Sequence, residues 1–527
     1  MIKSHYKAII SATIFIILTV FTVTTSSAQN TSRARLAVII SINGLESYEL
    51  ENFTTLFEDG GLKRIINSGY YDAAATSNYM PSDATTDYAS IMCGTTPHYH
   101  GIVSSHFYSM LDDDIISCIE DARFDGINTK RTVSPKLLQA TTIGDQLKLC
   151  NPQSKVYSIA LSAESALMMG GHLADGVVWI DDETGRVATT FYYDKGLPQW
   201  SVKINNDNSI PLLYKNWTSL NNILTYKYPI SKNYYVDLHP VLTKLEYTEE
   251  KKDVATFKQT PFVNELIKDL AVRAIRDDNM GDDDNPDLLC VEFTANHAYS
   301  STPMSAENED FFIRLDKTIK QLIDIIDISV GLENSVIVLT APTNNINVNN
   351  DNDTKKINGG VFNSYRATAL LNAYLMAIYG QGRWVTGYYN RNIHLNKTLI
   401  EENKIKLNDI EDYVAQFMME FSGVMSAVPS YQIQATENNN NRMSNSYYKN
   451  RTGDVIISLL PGWREENNKF NAKYSTIYYP TYPLAIWYKG TTPEKRNITI
   501  EDICPTLCRI LQIPYPNACI GTPLIFK

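Results

Sequence analysis

The run Leu36 to Ile42 (LAVIISI) passes without a charged residue straight into Asn43-Gly44. A solvent-facing helix would place polar residues in each turn, and a strand with one wet face would alternate. An unbroken apolar run ending at a turn signal instead calls for a strand buried on both faces, as in a parallel sheet covered by helices. Similar runs recur at Lys155–Leu161, Leu288–Phe293, Val336–Thr340 and Leu484–Tyr488. Helical patterns fall around Thr55–Ser68 and at Thr142–Leu149, Pro261–Arg276, Ser305–Val330 and Ile500–Leu511. Alternation of this kind predicts an α/β fold: a doubly wound, mainly parallel sheet with helices on both faces and right-handed crossovers. Ligands of such sheets bind beyond the carboxyl ends of the strands, which directs attention to Asn43, to Thr294–His297 and to Ala341–Thr343.

Residues 1–28 read as an export signal rather than as fold. Lys3 and Lys7 precede an apolar stretch from Ala8 to Val23 and a run of small residues ending at Ala28, the order of a cleaved secretory peptide. The expected location is therefore the periplasm or the exterior, with no stable membrane span once the signal is removed. The core is expected in two parts, 29–343 and 471–527. Between them, 344–470 reads as an inserted α+β unit, with short alternating runs, a helix near Asn408–Phe421 and polar tracts at Asn344–Lys356 and Asn438–Asn441.

The stretch Met80 to Ser105 (MPSDATTDYASIMCGTTPHYHGIVSS) organises the rest. Ser82 or Asp83 caps a short helix running to Cys93, and Gly94 stops it by taking a left-handed conformation. A helix start that presents hydroxyls beside free amide donors is a place where phosphate can sit.

Composition narrows the class. With 47 basic against 58 acidic residues and a net charge of −11, no electrostatic case exists for nucleic-acid binding. Seven cysteines leave at least one unpaired. Cys519 could reach back to Cys504 or Cys508, and the pairing stays open. The acidic run Asp277–Asp284 lacks the ordered spacing of a calcium loop and reads as a solvated turn.

With Asn43-Gly44, Pro81 and the loop Pro97–Val103 in place, the chain resembles the alkaline phosphatase superfamily, closest to its single-chain, phosphate-insensitive PafA type. Further matching segments are Ser134-Pro135 with Ala140–Asp145, Gly171–Asp175, Pro286–Leu289, Arg314–Asp316, Arg451–Asp454 and the tail from Asp502 to Pro523. The resemblance implies hydrolysis of phosphate esters by a threonine or serine flanked by two zinc ions about 4 Å apart.

The positions that would carry this chemistry are replaced. The nucleophile position falls on Ala84, with Thr85 and Thr86 the nearest hydroxyls. The metal-ligand positions fall on Asn43, Asn296, Tyr299, Pro342, Thr343 and Thr481, with His297 nearby. The phosphate-contact positions fall on Ser105, Ser162 and Glu164, whose charge would repel a phosphate dianion. Zinc needs anionic or imidazole donors, so no catalytic set and no metal cofactor are expected.

The sequence therefore predicts an exported, catalytically degenerate alkaline phosphatase-like protein that binds an envelope partner, a glycan or a peptide. The alternative is an active phosphomonoesterase, phosphodiesterase or sulfatase-type hydrolase with a rebuilt site drawn from Thr85, Asp83, Asp87 and His297. His98, His100 and His106 lie close in sequence, but a metal site there lacks a partner elsewhere.

Overall fold

The computed structural model describes residues 33–80, 82–193, 196–206, 209–230, 238–245, 253–297, 302, 304–343, 359–435, 441–467, 472–475, 480–489, 491–493 and 496–526. The expected export signal, Pro81, Tyr299, the polar segment 344–356 and residues 438–440 lie outside them.

A nine-stranded sheet forms the centre. Its strands, numbered along the chain, are β1 (Leu36–Asn43), β2 (Tyr70–Ala75), β3 (Gly126–Ile127), β4 (Val156–Ala160), β5 (Gly176–Ile180), β6 (Val187–Thr190), β7 (Asp287–Thr294), β8 (Ser335–Thr340) and β9 (Tyr482–Tyr488). Their spatial order is β2-β9-β8-β1-β7-β4-β5-β6-β3. The central five, β8 to β5, run parallel, and antiparallel strands extend both edges. The sheet is thus mainly parallel, as the apolar runs require.

The main helices are α1 (Ala84–Cys93), α2 (Ile143–Cys150), α3 (Ala163–Gly170), α4 (Phe262–Asp277), α5 (Ala306–Ser329) and α6 (Ile503–Leu511). Both faces of β1 are buried because its side chains alternate between two cores. Leu36, Val38, Ile40 and Ile42 pack with residues of α4 and α5. Ala37 and Ile39 join the opposite core, with residues of α1, α2, α3 and α6.

Helix α1 starts and stops where the sequence indicates. Asp83 is its N-cap, accepting a hydrogen bond from the Thr86 N–H, and Gly94 ends it at φ 66°. The helix expected around Thr55–Ser68 is broken: a 3₁₀ turn at Thr54–Leu56 precedes a helix at Leu62–Ser68. The break is held by Asp316, whose carboxylate accepts the N–H groups of Glu58 and Leu62 at 2.8 Å each. Likewise α6 is preceded by a 3₁₀ turn, Ile500–Asp502.

Between residues 361 and 467, within the stretch expected as an insertion, a four-stranded antiparallel sheet (Val385–Tyr389, Asn392–Leu395, Val455–Leu459, Val424–Pro429) carries its own apolar core. All seven cysteines are free thiols. No helix among the described residues is long and apolar enough to cross a membrane.

Candidate functional site

The start of α1 lies beyond the carboxyl ends of the parallel strands and opens onto a cleft of about 650 Å³. Thr85, Ser105, Ser162 and Glu164 all line it. The structure thus brings these four candidates of the sequence to one cleft. Ser162 caps α3, accepting from the Ser165 N–H. Thr86 instead turns inward, donating its hydroxyl to Asp83 at 3.2 Å. The other Asp83 oxygen accepts from Ser104 Oγ (2.8 Å) and the Ser105 N–H (2.6 Å). Asp83 is thus consumed in fastening α1 to the segment before the cleft.

A residue that sequence reasoning missed reshapes this cleft. Arg131 donates to Glu164 from Nη1 at 3.1 Å and also from Nη2, a two-pronged ion pair. Burial raises the Glu164 pKa, but the hydrogen bonds and charge of Arg131 outweigh it and hold the carboxyl below its usual range. Both cations that line the cleft are thereby engaged, since Lys130 pairs with Glu183 at 2.7 Å.

At the end of β1, the Asn43 side-chain amide donates to Glu292 Oε1 at 3.1 Å, and its Oδ1 accepts from Asn296 Nδ2 at 3.1 Å. Glu292 also accepts from Tyr88 of α1 (2.9 Å), Ser165 of α3 (3.1 Å) and the Leu161 N–H (2.9 Å). Burial pushes its pKa up against these hydrogen bonds. This fully buried carboxylate was overlooked, although its one signal was plain: a lone Glu inside the apolar run of β7.

A second buried carboxylate, Asp87, accepts from the Tyr79 hydroxyl and from the Thr343 N–H (2.5 Å). Burial raises its pKa to about 6, opposed by those hydrogen bonds. The Thr343 hydroxyl lies 3.0 Å from the Tyr482 hydroxyl. Pro342 is buried beside it, and Thr481 is exposed. His297 faces away from the cleft: Nε2 lies 2.6 Å from Asn308 Oδ1, the ring stacks on Phe311, and burial lowers its pKa to about 4.

Thr85, Asp83, Asp87 and His297 consequently do not converge on one reacting centre. Nor do the three neighbouring histidines. His98 contacts the Tyr447 carbonyl at 3.0 Å, His100 contacts Ser90 at 2.9 Å, and His106 contacts Ser105 at 3.3 Å.

With this geometry in view, comparison with known proteins is informative. The model of the type I phosphodiesterase / nucleotide pyrophosphatase family matches residues 37–479. The chain belongs to that family. Within it, the chain is similar to alkaline phosphatase PafA of Elizabethkingia meningoseptica, 27% identical over 93% of this chain and 94% of PafA. Alkaline phosphatase PhoV of Synechococcus elongatus is 25% identical over 94% of this chain and 92% of PhoV. The crystal structure of wild-type PafA matches the fold with a TM-score of 0.80 at 26% identity, covering 93% of this chain and 98% of PafA. The family resemblance and the alkaline phosphatase-like fold read from the sequence are thus both correct.

The residues at the family's metal positions do not fit two zinc ions. Zinc takes thiolate, carboxylate and neutral imidazole donors. Here Asn43 and Asn296 spend their amides on each other and on Glu292, Thr343 offers a hydroxyl paired with Tyr482, and His297 is packed into aromatic rings. Among the described residues no three His, Cys, Asp or Glu side chains converge as a metal site would need.

Proposed function

We propose that this family member keeps the alkaline phosphatase scaffold to bind a partner rather than to cleave an ester. The observation that carries this is Asn43, a neutral amide locked between Glu292 and Asn296 where a metal-binding carboxylate is expected. Ala84 at the nucleophile position and the Arg131–Glu164 pair at the phosphate-contact position support it. The protein is exported, to the periplasm or beyond, carries no zinc cofactor, and engages an envelope partner, a glycan or a peptide.

The test is zinc content of the purified protein together with turnover of an aryl phosphate in excess Zn²⁺. The expected result is sub-stoichiometric zinc and no turnover, unchanged in Ala84→Thr. Stoichiometric zinc with turnover abolished by Thr85→Ala would overturn it.

One observation favours the other reading, an active phosphomonoesterase, phosphodiesterase or sulfatase-type hydrolase. Thr85 lines the cleft, and its hydroxyl makes no hydrogen bond among the described residues. Loss of turnover in Thr85→Ala is the signature that reading requires.

A further inference from the structure

Separate from the cleft is a larger groove of about 1320 Å³. Strand alternation divides the two, because His106 lines the cleft while Phe107, the next residue, lines the groove. Three short helical segments, Pro97–His100, Ser430–Ala435 and Arg442–Ser446, contribute to its wall.

At this wall sits a guanidinium that no carboxylate among the described residues pairs with, although Asp112, Glu120 and Asp121 also line the groove. Arg451 Nη1 donates to the carbonyls of Gly101 (2.5 Å) and Leu137 (2.7 Å). Its carbon lies 4.7 Å from the Tyr448 ring centre and 5.5 Å from that of Phe107. Nε and Nη2 make no hydrogen bond among the described residues, and no carboxylate pairs with Arg451 there. Burial lowers its pKa, as it does for a cation taken from water without an anion beside it. A partly buried cation whose Nε and Nη2 have no partner among the described residues is matched by a planar anion, and guanidinium pairs with carboxylate through two parallel hydrogen bonds.

The rest of the groove defines what carries that carboxylate. Tyr99 is 45% exposed and lies edge-on to His98. Tyrosine rings offer flat apolar faces with a polar tip, suited to the C–H faces of sugar rings. The volume exceeds the ~300–1,000 Å³ typical of single small-ligand pockets, which suits a chain of several rings.

We propose that this groove binds an acidic oligosaccharide of the uronate type, with a carboxylate on Arg451 and sugar faces against Tyr99 and Tyr448. The site is distinct from the cleft and does not depend on whether the cleft hydrolyses anything.

Calorimetry of the full chain with tetragalacturonate, a neutral galactose oligomer of equal length and an acidic peptide tests the proposal. Binding of the uronate about ten-fold or more tighter than the neutral oligomer, reduced about five-fold or more in Arg451→Gln and in Tyr99→Ala, is expected. Should Arg451→Gln fail to fold, Tyr99→Ala gives the reading alone, since Tyr99 is an exposed residue. No uronate binding at millimolar concentration, equal binding of the neutral oligomer, binding of the peptide alone, or an unaffected Tyr99→Ala would each overturn the proposal.

Discussion

Asn43 and Glu292 stand on neighbouring parallel strands, and the amide of one donates to the buried carboxylate of the other at 3.1 Å. The two face the core that contains α1 and α3, so the strand ends and both helices meet at a single hydrogen-bonded carboxylate. A neutral partner at position 43 is what this arrangement needs, because a second anion beside a buried carboxylate would find no cation to offset it.

Asn43→Asp is therefore expected to destabilise the fold by about 1–3 kcal/mol, through loss of the amide donor and repulsion between like charges. Urea denaturation near neutral pH measures this. The loss should shrink in the double variant with Glu292→Gln, which restores a single negative charge to the pair.

The Asp87 carboxyl gives a pH dependence of definite sign. Its pKa is raised from 3.8 to about 6 in the fold by burial, so between these values the folded chain holds a proton that the unfolded chain has released. Its contribution is full below the unfolded value and is lost as pH rises through the folded one, on a scale of roughly 3 kcal/mol. Glu501, raised from 4.5 to about 7 by burial, acts in the same direction. Denaturation midpoints across this range should fall less steeply with pH in Asp87→Asn than in the unaltered protein, and parallel curves would contradict the assignment.

Glu164→Gln frees Arg131 in the cleft. Orthophosphate affinity, followed by titration calorimetry, is expected to rise about ten-fold, because the substitution removes an anion and releases a two-pronged donor. An unchanged affinity would mean that the ion pair does not control anion entry.

Gly94 ends α1 with φ 66°, and a Cβ there would stand 2.6 Å from Cys519 Sγ and 2.9 Å from Cys504 Cβ. Gly94→Ala should cost about 2 kcal/mol or more, from the left-handed backbone and the overlap together. A thermal melt reads the loss directly.

The lesson of the sequence is uneven across these elements. The buried strands and the limits of α1 were legible, because apolar runs, a capping Asp83 and a stopping Gly94 act within a few residues of the backbone they shape. The shared wall of Thr85, Ser105, Ser162 and Glu164 was legible through family resemblance. Arg131 was not, since nothing near it in the chain marks it as the partner of Glu164, 33 residues on. The break before Leu62 was also hidden, because Asp316, which holds it, is 254 residues away.

By itself, the sequence determined a doubly wound, helix-covered sheet and the position of its organising helix. Only the tertiary structure decided which polar groups meet around that helix: Asn43, Tyr88, Ser165 and the Leu161 N–H gathered on Glu292, and Thr343 and Tyr79 on Asp87. The reason is physical. A strand or a cap is set by neighbours in the chain, whereas a buried charge must be satisfied by whatever polar groups the packed fold brings within about 3 Å.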